Sequence, residues 1–198
     1  MQSKQLPLYK PLVRGYLNYA YQMAILGGVP RAKPWIFQNY IQLVSDVNVP
    51  ILPVQFYMPD GSGYNWSPLC PFFEYQLIGR DFVIKHQVNL IDVLVEAIRD
   101  DGYVWMYVNE KYIPQTAAAE RQQDFNHMIL VHGFDLDKRV FHIYGYDRQG
   151  QLSTRTIDFA QLEQAFLDNQ INHVFFEGNL AIIKVRQDNN YHLKLDYI

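Results

Sequence analysis

The run Asn126-His127-Met128-Ile129-Leu130-Val131-His132-Gly133-Phe134 holds the chain's best candidate for acid–base chemistry. Strand alternation puts His127, Ile129 and Val131 on one face and Met128, Leu130 and His132 on the other. A histidine at the start of a strand can project into a cleft. Asp147 closes the next apolar run, directly after Tyr144-Gly145-Tyr146. Two neighbouring antiparallel strands bring the start of one beside the end of the other. Asp147 is therefore expected next to His127, orienting the imidazole through its second nitrogen. That is the base-and-orienter half of a nucleophilic dyad or triad. Taken alone, a strand histidine is more often structural.

A nucleophile is harder to find. Cys70 is the sole thiol, within Trp66-Ser67-Pro68-Leu69-Cys70-Pro71-Phe72-Phe73. It reads either as a small buried hydrophobe or as a displaced nucleophile reaching His127 from a long loop. His132, His142 and His173 read as structural or surface residues, and His86 and His192 carry no motif. Neither HExxH nor paired CxxC spacing occurs, and Gly61-Ser62-Gly63 lacks the lysine and helix of a phosphate loop. No metal or cofactor is expected.

The elements that must position these residues divide the chain into a helical first part and a strand-rich second part. A helix is predicted over Asn18 to Leu26, with Asn18 as N-cap and Gly27-Gly28 and Pro30 as stop signals. A second is predicted over Pro34 to Ser45. Val47 to Pro71 is proline- and glycine-rich and reads as a long loop with a strand piece at Val54 to Met58. Leu90, Val93, Leu94, Ala97 and Ile98 have helical spacing within Asn89 to Asp100, which Gly102 ends. Strands follow at Tyr103 to Asn109, Asn126 to Phe134, Arg139 to Tyr146, Leu152 to Ile157 and Ala181 to Val185. Pro114 to Asp124 reads as a loop with one helical turn, and Asp158 caps a helix over Phe159 to Asp168. Helices early and a meandering sheet late predict an α+β fold rather than alternating βαβ units.

Composition narrows the class. The 198 residues are 49% hydrophobic, 15% aromatic and 19% charged, with a net charge of −3. A disordered tail, a collagen-like chain and a coiled coil are excluded. No basic excess is present to neutralise a phosphate backbone, so nucleic acid is not an expected partner. One cysteine forms no internal disulfide. No apolar run approaches a membrane span and no signal peptide stands at the N-terminus. One cytoplasmic domain over residues 1–198, not bound to a membrane, is the expectation.

The half-motif sharpens by resemblance. Asp101-Gly102-Tyr103-Val104-Trp105-Met106-Tyr107-Val108-Asn109-Glu110-Lys111-Tyr112-Ile113-Pro114, then Asn126 to Asp135, then Val140-Phe141-His142-Ile143-Tyr144-Gly145-Tyr146-Asp147 resembles the N-terminal domain family of butirosin biosynthesis protein H. That family belongs among papain-like folds related to C39-like peptidases. The resemblance implies a papain-like domain with His127 as general base and Asp147 as its orienter. It also implies acyl transfer from a carrier-protein thioester to an amine in natural-product biosynthesis.

One departure matters. A papain-like nucleophile is a cysteine at the N-terminus of the first long helix, where the helix dipole favours the thiolate. Here Gly15-Tyr16-Leu17-Asn18-Tyr19-Ala20 stands in that place. Tyr16, Asn18 and Tyr19 become the residues expected to face His127, as binders of a substrate amine or carbonyl or as packing residues. Two functions follow. One is an acyl or amide transferase acting on a carrier-bound or amine-bearing intermediate, with an acyl or peptidyl carrier protein as partner. The other is a catalytically silent family member binding a partner or small molecule in the old cleft. Peptide hydrolysis ranks third.

Overall fold

Seven antiparallel strands form one sheet, to which both the first residues and residues as late as 185 contribute. The computed structural model describes residues 1–45, 54–56, 70–168 and 179–193. In chain order the elements are β1 (Ser3–Gln5), α1 (Leu17–Leu26), α2 (Lys33–Asn39), β2 (Leu43–Ser45), β3 (Val54–Phe56), β4 (Phe73–Gly79), α3 (Arg80–Lys85) and α4 (Leu90–Arg99). They continue as β5 (Tyr103–Asn109), α5 (Ala117–Arg121), β6 (Asn126–Asp135), β7 (Val140–Tyr146), β8 (Leu152–Asp158), α6 (Phe159–Leu167) and β9 (Asn179–Val185). Single 3-10 turns occupy Pro30–Ala32 and Glu110–Tyr112. The sheet order is β4-β9-β5-β6-β7-β8, with β1 pairing the far end of β6, and β2 and β3 form a separate hairpin pair. This is the α+β layout expected from the sequence, with β1 joining the sheet ahead of the first helix.

Local chemistry explains most boundaries. Asn89 accepts a hydrogen bond from the Asp92 amide and so caps α4, which buries Leu90, Leu94, Ala97 and Ile98 along one stripe. Asp158 caps α6 through the Ala160 amide, and Phe159 packs on Phe141 with ring centres 4.5 Å apart. Gln122 stops α5 in the left-handed region at φ 52°.

Two expectations about the first part need correction. Asn18 does not cap α1. The helix starts one residue earlier, Tyr16 takes the extended N-cap position, and all ten helical residues are buried, Asn18 among them. The helix expected over Pro34 to Ser45 ends at Asn39, and Leu43–Ser45 pairs with β3 instead. β1, β4 and α3 were not anticipated. The strand expected at Val54 to Met58 is present at Val54–Phe56, and the rest of that loop lies outside the described residues apart from its end at Cys70-Pro71.

Candidate active site

β5 and β6 pair in register from Val104↔Val131 to Asn109↔Asn126, with Val108 opposite His127. Glu110 lies two residues beyond Val108, so alternation places it on the same face as His127, one diagonal step away. The structure closes that step: Nδ1 of His127 is 2.9 Å from Oε1 of Glu110. The Glu110 side chain is 9% exposed and the imidazole 27%. Glu110 is held firmly. Its amide donates to the Phe125 carbonyl at 2.7 Å, and its carbonyl accepts from the Thr116 hydroxyl at 2.9 Å. Asn109 fastens the turn from the side, accepting from the Lys111 and Phe125 amides and donating to Asp124.

The carboxylate against His127 is therefore Glu110, where the sequence pointed to Asp147. The physical reason is that β6 and β7 part before they reach these residues. Their pairing runs from Asp135↔Val140 to Leu130↔Tyr144 and includes no pair beyond Leu130. Asp147 turns to its own loop, where Oδ1 accepts from the amides of Gln149 and Gln151, both at 2.9 Å. Into the gap between the strands reaches the Tyr21 hydroxyl from α1, donating to the Met128 carbonyl at 2.9 Å. Gly145 makes that approach possible: a Cβ there would stand 3.3 Å from the Tyr21 oxygen and 3.5 Å from Nη2 of Arg155.

Aromatic rings border the imidazole. Tyr146 lies nearly parallel to it with centres 6.2 Å apart, and Phe125 is tilted at 5.3 Å. The Tyr146 hydroxyl donates to the Arg14 carbonyl, two residues before the N-cap of α1. The start of α1 thus lies beside the His127 end of the sheet, linked through one tyrosine.

The other anticipated residues fall as follows. Asn18 and Tyr19 are each 1% exposed, so neither presents surface to a ligand, whereas Tyr16 is half-buried. Tyr19 sits in a ring cluster with Tyr16, Tyr40 and Phe56 at 6.0, 5.7 and 5.4 Å. Cys70 is 2% exposed, and burial pushes its thiol pKa far up despite hydrogen bonds from the Phe72 and Phe73 amides. A thiol so placed is a poor source of thiolate. His132 is buried in a bulge of β6 between Val131 and Gly133, with Nδ1 3.0 Å from the Leu6 carbonyl. His142 is half-buried beside it, and His173 lies outside the described residues.

Among the described residues, no group of three or more His, Cys, Asp and Glu is placed to hold a metal ion. A cavity of about 750 Å³ opens elsewhere, at the other end of α1, between Tyr9, Val29, Arg31, Tyr103 and Arg186. Among the same residues no helix is long and apolar enough to cross a membrane.

No family profile and no curated protein matches the chain. Among solved structures it is similar to a C39-like peptidase candidate from Bacillus anthracis, at 14% identity and a TM-score of 0.35. The overlap covers 60% of this chain and 54% of that one, and at this distance it transfers neither a residue nor a reaction.

Proposed function

We propose that this is a papain-like domain of the acyl- or amide-transfer class, in which His127 is the general base and Glu110 its carboxylate partner. The reading rests on one observation: an imidazole held through Nδ1 by a buried carboxylate while the ring keeps exposed surface. Such an arrangement fixes the tautomer and leaves Nε2 as the atom that takes a proton. Positions 15–20 offer no cysteine, serine or threonine, and Cys70 is buried with a raised pKa. The transfer is accordingly direct. A substrate amine attacks the carbonyl carbon of an acyl thioester, His127 accepts a proton from that amine, and the carbon–sulfur bond breaks. The proton then passes to the departing thiolate. A carrier protein bearing the thioester is the partner this chemistry calls for, as in the butirosin protein H family that the chain resembles.

The test is an acyl-thioester carrier assayed with a panel of amines. Turnover that His127→Ala lowers by about 100- to 10,000-fold supports the reading.

A second reading is favoured by the ring cluster of Tyr16, Tyr19, Tyr40 and Phe56, which packs the start of α1 with aromatic side chains. In it the domain is silent and binds a partner or small molecule. No transfer with any amine, combined with ligand affinity unchanged in His127→Ala, selects this second reading.

A further inference from the structure

The cavity of about 750 Å³ at the far end of α1 has the size of a small-molecule pocket. It is remote from His127. The helix α1 has ten residues and is about 15 Å long, and its other end is the one tied to Tyr146 through Arg14. Tyr9 forms one wall. Its amide donates to the Ala24 carbonyl at 2.9 Å, and its ring lies against Gly28, where a Cβ would overlap Cε2, Cζ and the hydroxyl oxygen. Backbone conformation demands glycine at neither position of the pair: Gly27 has φ −57°, and Gly28 lies outside the left-handed region. What the pair does is admit the tyrosine ring. Tyr9 is still 44% exposed, so a ring backed by bare main chain offers open surface to the cavity. Tyr103 lines the cavity as well. Its hydroxyl donates to the Pro7 carbonyl at 2.6 Å, which leaves the ring as the part it presents. Ile25, Val29 and Val185 add apolar surface.

The charged groups of the lining are not equivalent. Lys184 is paired with Asp100, and Asp101 with Lys4 at 2.9 Å. Arg31 differs. Its Nη2 donates to the Arg186 carbonyl, while its Nε is buried without a hydrogen-bond partner among the described residues. Of the residues that line the cavity, Arg31 alone has a buried side-chain polar atom left in that state. Glu74 and Asp188 also line it, but neither has a buried oxygen without a partner, so water serves both. Arg186, whose carbonyl holds Arg31, brings a second guanidinium to the same lining. A guanidinium shut off from water along one edge is costly until an anion meets it.

We propose that this cavity binds a small carboxylate with an apolar or aromatic body, its anionic group set against Arg31 and its body against the rings of Tyr9 and Tyr103. The planar fork of arginine matches a carboxylate, and aromatic walls take up a ring or alkyl chain without polar partners. None of these residues belongs to the proposed transfer chemistry, so the two assignments stand or fall separately.

The experiment is a titration of the full chain with phenylacetate, followed by two-dimensional amide NMR. Saturable shifts are expected at the amides of Gly28, Arg31 and Arg186. Benzylamine, of similar shape and opposite charge, and acetate, which lacks the ring, are each expected to bind more weakly by about tenfold or more. Arg31→Met is expected to weaken phenylacetate by about tenfold or more as well. Arg31 also holds the Arg186 carbonyl, so its loss can loosen the chain at that point. Tyr9→Ser removes the aromatic wall without touching that contact, and is expected to weaken phenylacetate by about fivefold. The absence of saturable shifts at these amides, or their confinement to the His127 end of the sheet, overturns the proposal. So does benzylamine binding as tightly as phenylacetate. Unchanged phenylacetate affinity in folded Arg31→Met or in Tyr9→Ser overturns it too. The readout is binding to the free protein, so an absence of transfer activity sinks the proposed reaction and leaves this result standing.

Discussion

Nδ1 of His127 lies 2.9 Å from Oε1 of Glu110, two residues beyond Val108, the register partner of His127 on β5. Asp147, at the end of β7, spends Oδ1 on the amides of its own turn. The two carboxylates therefore separate by experiment. In the proposed transfer, Glu110→Gln keeps the shape but removes the charge and offers Nδ1 an amide that donates as well as accepts, so the imidazole loses its fixed tautomer and turnover is expected to fall by about 100-fold or more. Asp147→Ala loses two turn hydrogen bonds, costs stability of on the order of 1 kcal/mol each, and leaves turnover per folded molecule largely unchanged. Equal losses of turnover from both variants would overturn the assignment of Glu110.

Cys70 is packed as a core residue. Its thiol is 2% exposed and burial drives its pKa up. Cys70→Ser places a hydroxyl in an apolar site and is expected to cost about 1 to 3 kcal/mol in a denaturant titration, with turnover per folded molecule retained. Rapid alkylation of Cys70 near pH 7 by iodoacetamide, blocked by substrate, would show instead that the thiol is reactive.

How much of this was legible in the sequence depends on how each element meets its surroundings. α4 could be read because Asn89 caps it and its apolar residues form one stripe. α1 misled because burial surrounds it: with all ten residues buried, no stripe marks its register, and the polar Asn18 mimics a cap while sitting inside the core. β1 is three residues long, too short for alternation to register. The geometry of the candidate site was half legible. His127 follows from a clear strand, and Glu110 was within reach of the same reasoning applied to β5 and β6 instead of β6 and β7. What the sequence conceals is where a ladder stops. Nothing in Met128 or Tyr146 announces that Tyr21, more than a hundred residues earlier, takes the Met128 carbonyl.

His132 gives the fold a pH dependence of its own. It is buried, and desolvation lowers its pKa from the ordinary 6.5, with the Leu6 carbonyl opposing and His142 adding to the shift. His142 is lowered too, chiefly by burial. A lowered folded pKa means that the unfolded chain binds the proton more readily. For His132 the stability contributed is fully present above about pH 6.5 and declines as pH falls through the folded value, by at most about 1.4 kcal/mol per pH unit, while half-buried His142 contributes less because solvent screens it. Chemical denaturation between pH 7.5 and 5 is expected to show falling stability, with a shallower slope in His132→Phe. An identical slope in that variant would remove His132 as the cause.

At Gly133 the β1 main chain lies close against β6. A Cβ there would stand 2.9 Å from the Lys4 carbonyl oxygen and 3.1 Å from the Gln5 Cα, both main-chain atoms that cannot rotate away. Gly133→Ala is expected to push β1 off the sheet, to cost about 1 to 3 kcal/mol and to speed amide exchange at Leu6, whose N–H donates to the His132 carbonyl. Unchanged protection at Leu6 would show that β1 accommodates the methyl.

Tyr21 joins the fold to the site. Its ring is wholly buried beside Tyr144, and its hydroxyl is the group that meets the Met128 carbonyl past the last β6–β7 pair. Tyr21→Phe keeps the ring and deletes one oxygen, which leaves a buried carbonyl unpaired one residue from His127. The stability loss is expected at about 1 to 3 kcal/mol, the range for an orphaned buried acceptor. Because the same oxygen faces Gly145 and Arg155, the loss also opens space at that point, and Gly145→Ala in the Tyr21→Phe background is expected to recover part of it. In the parent chain the same alanine meets the Tyr21 oxygen at 3.3 Å and is expected to destabilise. A thermal-melt comparison of the four proteins reads this directly. If Gly145→Ala costs the same in both backgrounds, the Tyr21 hydroxyl is not what keeps position 145 free of a side chain, and the parting of β6 from β7 needs another cause.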